Sequence, residues 1–260
     1  MITLKESILK SVKAGRYTLF PKSKYELRLM IENEIREKGY DCDLNHIYLK
    51  DVDNFNQLFS QSKYTREFCG DISGWDVSHV KDMSFMFCGC RKFNGDISKW
   101  DVSSVEDMSY MFNQSKFNQP IGDWNVSKVR NMSSMLSCYF NQDISKWNVS
   151  SVKDMAHLFS NNWYFNHDIT GWDVSSVEDF SSMFADAGFN RDISKWNVAN
   201  ATDMSFMFFN AKKFNQDLSD WEITDENCTF AMFGGKCPIK PEFKPQNIKE
   251  DIDRAALRKN

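Results

Sequence analysis

Apolar residues recur along most of this chain in one fixed phrase. Its fullest copy runs Phe93-Asn94-Gly95-Asp96-Ile97-Ser98-Lys99-Trp100-Asp101-Val102-Ser103-Ser104-Val105-Glu106-Asp107-Met108-Ser109-Tyr110-Met111-Phe112. Tryptophan keeps the register at 75, 100, 124, 147, 172, 196 and 221; Trp163 alone lies outside that series. The other copies start at Phe68, Phe117, Phe140, Phe165, Phe189 and Phe214. The third departs at Pro120, and the seventh degenerates after Trp221. A worn copy precedes them, with Leu49, Val52, Phe55, Leu58 and Phe59 where Val77, Val80, Met83, Met86 and Phe87 stand in the next. Within a copy, the two-residue step from Trp100 to Val102 predicts a short strand with both side chains on its inner face. Val105, Met108, Met111 and Phe112 then follow at steps of three, three and one, which predicts a short helix with one buried stripe. Ser103 and Glu106 have capping-box spacing, repeated at Ser175 and Glu178. The Asp or Asn before each Met, or before Phe180 in one copy (Asp82, Asp107, Asn131, Asp154, Asp179, Asp203), is the alternative cap.

One such unit cannot bury both faces, so the copies must stack. Ile97-x-x-Trp100-x-Val102-x-x-Val105 also has leucine-rich-repeat spacing, with Ile, Trp and Val in the apolar slots. The expected fold is an α/β repeat solenoid: a leucine-rich-repeat-like stack of short parallel strands and short helices, with an N-terminal α/β cap. Residues 1–43 are read as a helical, βαβ-type cap. Thr3 and Glu6 open a first helix ending at Gly15, and residues 16–20 alternate like a strand. Ser23 and Glu26 cap a helix whose face is Leu27, Met30, Ile31 and Ile35, ending at Gly39. Residues 44–235 hold the repeats. Residues 236–260 form a cap with Pro238, Pro241 and Pro245, which blunt the last edge, and a charged tail.

Composition narrows the function. The chain has 260 residues, 42% hydrophobic, 26% charged, with a net charge of −4. No apolar run approaches the roughly 18–20 residues of a membrane span, and the net charge gives no basic footprint for nucleic acid. Glu6, Lys10 and Lys13 interrupt every candidate leader stretch, so no Sec-dependent export is expected. That leaves the cytoplasm or a non-Sec route. Cys42, Cys69, Cys88, Cys90, Cys138, Cys228 and Cys237 form no C-x-x-C pair and read as free, mostly buried thiols. His46, His79, His157 and His167 show no ligand spacing with them. No nucleophilic triad, phosphate loop or zinc motif appears, so neither catalysis, metal nor cofactor is expected.

The phrase F-N-x-D-I-S-x-W-[DN]-V-S-x-V-x-[DN]-M-S-x-M-F, recurring over about residues 44–233, resembles the repeat of BspA-like bacterial surface proteins, a leucine-rich-repeat variant. The closing segment from Cys237 to Pro245 resembles how such arrays end. The resemblance implies a non-enzymatic binding surface, on the cell surface or secreted, of the kind implicated in adhesion to host proteins.

Three surfaces are candidates. The first is the outward ladder Asp76, Asp101, Asn125, Asn148, Asp173 and Asn197, continued by Glu222; it is either a polar recognition strip or a set of Asx and Ser hydrogen bonds that hold the turns. The second is the outer helix side, where Phe85 and Tyr110 would be neighbours and Phe206 and Phe209 would form another exposed pair. These aromatics either anchor a partner or staple adjacent copies. The third is the aspartate row at Asp71, Asp96, Asp143, Asp168, Asp192 and Asp217, read as turn caps in preference to calcium ligands because glycine-rich turns are absent. The function expected is a protein-interaction module of adhesin or effector type, acting as a monomer on a protein partner. A structural spacer or surface antigen without a ligand is the alternative, and the irregular helix side is preferred as the binding face.

Overall fold

The computed structural model describes residues 15, 17–137, 139–246 and 248. The expected helix from Thr3 to Gly15 and nearly all of the charged tail lie outside them. Among the described residues one α-helix forms, α1 (Lys24–Lys38), capped by Ser23, whose hydroxyl accepts from the Glu26 N–H at 3.2 Å. Glu26 reciprocates one residue upstream, on the Lys22 N–H at 2.7 Å. Leu27, Ile31 and Ile35 are buried, and Gly39, at φ +97°, closes the helix on the Ile35 carbonyl. Among the described residues three short 3-10 helices accompany it, at Thr65–Glu67, Glu226–Thr229 and Pro241–Phe243.

The expected α/β solenoid is not what forms. Among the described residues there is no sheet, and the copies contain no helix; helix makes up only 10% of the chain. The pieces taken for strand and helix are a train of β-turns. Trp100 N–H donates to the Ile97 carbonyl at 3.1 Å, Val105 to Val102 at 2.9 Å and Met111 to Met108 at 3.1 Å. Each turn is headed by an Asx residue whose Oδ1 accepts from the residue two positions on: Asp96 from Ser98 at 2.9 Å, Asp101 from Ser103 at 3.0 Å, and Asp107 from Ser109 at 2.7 Å. One five-residue module (Asx, apolar, Ser, any residue, apolar) is thus used three times per copy. Both apolar ends of a turn point inward, which is why the apolar step is three. Ser103 and Glu106 cap no helix. Glu106 instead gives its N–H to the Lys81 carbonyl of the preceding copy at 2.8 Å.

Copies stack through backbone bonds in parallel register. Met83, Phe85 and Phe87 donate to the carbonyls of Asp107, Ser109 and Met111 at 2.8–2.9 Å. Pairing is confined to isolated bridges, which run from Asn54 through Asp82, Asp107, Asn131, Asp154 and Asp179 to Asp203. At the N-terminal end the described part of the expected βαβ cover consists of α1 and two parallel bridges, Leu19 to Ile47 and Asp43 to Asp71. At the other end, Leu218 donates to the Phe243 carbonyl at 2.8 Å, so the Pro-rich segment closes the last copy.

The core is a set of columns. Trp75, Trp100, Trp124, Trp147, Trp172, Trp196 and Trp221 are buried. Each indole N–H donates to a carbonyl of the preceding copy, from Leu44 through Ile72, Ile97, Ile121, Ile144 and Ile169 to Ile193, at 3.0–3.3 Å. Indole supplies bulk and one donor. Phe87 stacks on Phe93 at 4.0 Å and Phe112 on Phe117 at 3.9 Å, filling the space between the last turn and the next copy.

Candidate functional site

The polar ladder at Asp76, Asp101, Asn125, Asn148, Asp173 and Asn197 is exposed and regular. It belongs to no strand face: each Oδ1 heads a turn and accepts the N–H two residues on, at 3.0–3.2 Å. The aspartate row behaves alike. Asp71, Asp96, Asp143, Asp168, Asp192 and Asp217 each take the N–H two positions on at 2.8–3.0 Å. The Ser98 hydroxyl and N–H hold the Asp96 carboxyl below the usual range, and Ser145 does so for Asp143, its N–H first. Among the described residues no three His, Cys, Asp or Glu side chains converge as ligands for an ion. These oxygens are committed to the turns.

The residues assigned to an outer helix side lie on turns. Phe85, Tyr110, Ser134, His157, Ser182 and Phe206 occupy the third position of the last turn in each copy, with φ between +54° and +58°. This left-handed region suits glycine, yet none of these residues is one. Phe85 and Tyr110 are neighbours, as their spacing implies: their rings are 4.4 Å apart and 3° from parallel, and both are half-buried. Phe206 meets Phe209 and Phe230 edge-on at 5.6 and 5.3 Å. Phe206 is 36% and Phe230 52% exposed, while Phe209 is half-buried.

Sequence reasoning missed another group of aromatics, on the edge of the stack that leads into each Phe-Asn. Tyr139, Trp163 and Tyr164 are 49%, 42% and 57% exposed. Tyr139 and Tyr164 hold equivalent places in adjacent copies, with rings 6.0 Å apart. Their presentation is built in. Asn162 is fully buried; its Nδ2 donates to the Leu136 and Phe140 carbonyls at 3.0 and 2.8 Å. Its Oδ1 accepts the N–H groups of Tyr164 and Phe165, both at 3.0 Å. A buried amide with four partners fixes its loop. Gly188 completes the support, because a Cβ there would lie 2.2 Å from the Trp163 carbonyl oxygen. The signal in the sequence was Trp163 itself, out of register with every other tryptophan.

A shallow hollow of about 370 Å³ lies between the last two copies, lined by Ser194, Lys195, Trp196, Asn197, Asp220 and Glu222. The Cys90 thiol is pushed up to about 12 by burial and then by Cys88, so it is a poor nucleophile. No helix among the described residues is long and apolar enough to cross a membrane.

Two consecutive stretches, residues 32–138 and 137–244, match the model of a family described as a Mycoplasma protein of unknown function, DUF285. No curated protein and no solved structure matches the chain.

Proposed function

Because the chain belongs to the DUF285 family, whose function is unknown, its role has to come from its surface, and we propose that it is a non-enzymatic protein-interaction module. The observation that carries this reading is the edge cluster of Tyr139, Trp163 and Tyr164. Elsewhere the polar rows serve the turns and most large aromatics are buried or stacked on their neighbours; Tyr25 and Tyr40 are exposed in the N-terminal cap, and Phe206 with Phe230 near the other end. Here three large rings face solvent on a loop held by Asn162 and Gly188. Rigid exposed aromatics are the side chains that anchor protein interfaces at low entropic cost. The likeness of the repeat phrase to bacterial adhesion repeats supports the same reading. The close stack of Phe85 on Tyr110 supports a role for that pair in joining copies.

Affinity capture with the intact chain, followed by titration of the purified partner, tests this. The triple variant Tyr139→Ser, Trp163→Ser, Tyr164→Ser should keep the fold and lose at least about tenfold in affinity. Phe85→Ser with Tyr110→Ser should bind like the parent and melt lower. The reverse pattern would move the binding face to the turn column; a folded triple variant that binds like the parent would end the proposal.

A further inference from the structure

The edge that carries the exposed aromatics also carries most of its charge in one sign. The residue before each Phe-Asn forms a column along the stack: Lys92, Lys116, Tyr139, Tyr164, Gly188 and Lys213. Its register is fixed by the Phe column beneath, where Phe93 and Phe117 lie 6.1 Å apart, Phe165 and Phe189 6.4 Å, and Phe189 and Phe214 6.5 Å. Arg91 adds to the basic group at one end, and Lys212 and Lys236 to the group at the other; all are exposed. Among the described residues Arg91, Lys116, Lys213 and Lys236 make no ion pair. Lys92 pairs with Glu67 at 2.9 Å, and the Lys212 ammonium sits 5.0 Å from the centre of the Trp163 ring. A chain of net charge −4 therefore holds a basic group at each end of an aromatic stretch, with Lys92 alone of their members in an ion pair among the described residues.

We propose that this edge binds an extended protein segment that is acidic at both ends and apolar between them. The inference rests on the interaction-module reading and names its partner. Lys116 and Lys213 are four copies apart, and the phenylalanines beneath repeat every 6.1–6.5 Å, so the span is roughly 25 Å. An extended peptide advances about 3.3 Å per residue, so roughly eight residues fit between its acidic ends. The apolar middle would lie on Tyr139, Tyr164 and Trp163, with a carboxylate at each basic group. The column is one side chain wide, the width of a single chain, whereas a lipid surface needs a broad apolar face. A nucleic acid strand would carry phosphates across the middle, where the column is uncharged.

Selection of a displayed library of random peptides, about twelve residues long, on the intact chain tests the proposal. Selected peptides should place Asp or Glu on both sides of an apolar centre about eight residues long. Their affinity should fall as salt is raised. Lys116→Glu with Lys213→Glu should weaken them at least about tenfold at unchanged melting temperature, because like charges would then face each other. The Tyr139, Trp163 and Tyr164 serine variant should weaken them as well. Peptides without acidic ends, no enrichment, or affinity indifferent to the charge reversal would overturn the proposal. So would tighter binding to oligothymidylate or to anionic phosphatidylglycerol vesicles. If the peptides fail while a captured protein is still lost with the aromatic variant, only the acidic-segment inference falls; if both fail, the interaction-module reading falls with it.

Discussion

Tryptophan is used at one position per copy because that position needs two things at once. The ring fills the gap between turns, and the indole N–H satisfies a carbonyl of the copy before it. For Trp147 that carbonyl belongs to Ile121, at 3.0 Å. Trp147→Ala should cost about 3–5 kcal/mol through the cavity it leaves. Trp147→Phe separates the two roles: it keeps most of the bulk and removes one of the two hydrogen bonds on the Ile121 carbonyl, which keeps the Trp124 N–H at 3.1 Å, so about 0.5–1.5 kcal/mol should be lost. Urea denaturation measures both, and a phenylalanine variant as stable as the parent would show that the donor is dispensable. The left-handed column makes the opposite demand. His157 holds φ +56° with its side chain exposed. An L-residue there is strained by roughly 1–2 kcal/mol, partly offset in a glycine by its greater unfolded-state freedom. His157→Gly should therefore raise stability by up to about 1 kcal/mol. The same change at exposed Lys99, which is not among the positive-φ residues, should lower it.

At the scale of the element, a step of three between apolar residues has two origins. It is one face of a helix, and it is also the two ends of a β-turn. The run Val105, Met108, Met111 fits a helix, yet Val105 closes one turn and Met108 opens the next, with Asp107 between them heading the second. The distinguishing mark was present three times in the fullest copy, as Asp96-Ile97-Ser98-Lys99-Trp100, Asp101-Val102-Ser103-Ser104-Val105 and Asp107-Met108-Ser109-Tyr110-Met111. An Asx two residues before a Ser is a turn signal. The repeat, the inward Trp register, the Ser23 cap and the Phe85–Tyr110 contact were all legible, because each depends on spacing alone. The exposed edge was not, because it depends on which loop residues the Asn162 bonds push outward. The turn heads also set the response to pH, in two opposing ways. Burial, then the charges of Asp179 and Asp107, holds the Asp154 carboxyl above its ordinary value despite the Ala156 N–H. Its ionised form is thus a cost at neutral pH, a cost that disappears as pH falls below the unfolded value of 3.8. Asn131 already fills the equivalent place and accepts the same turn bond at 2.8 Å. Asp154→Asn should raise the melting temperature at pH 7, with the gain gone near about pH 3. The exposed heads, such as Asp96 and Asp143, are shifted down, so their contribution is present above the unfolded value and is lost as pH falls through the folded one. A gain for Asp154→Asn that persisted unchanged in acid would mean that the carboxylate charge is not its source.

Each copy of the whole molecule bonds only to the copy before and the copy after, through the bridge line, the indole donors and the Phe column. Such a stack has no contact that requires a fixed number of copies, and its stability is a sum over copies and their junctions. The amide ladder of the Phe-Asn turns has the same reach: Asn118 donates to Asn94 Oδ1 and Asn141 to Asn118 Oδ1, both at 2.8 Å. Deleting residues 125–147 removes one full period, from just after Trp124 through Trp147, and joins Trp124 to Asn148. In the shortened chain the Trp172 indole would find the Ile121 carbonyl in place of that of Ile144, and every turn head would keep its own turn. This variant should fold and unfold in one cooperative transition, with a urea dependence lower by about a tenth because less surface is buried. Deleting residues 125–136 removes half a period and sets turn against loop in every later junction, so that variant should lose the cooperative transition. Circular dichroism in urea separates the two. If the full-period deletion unfolded as readily as the half-period one, contacts beyond nearest neighbours would have to hold the stack together.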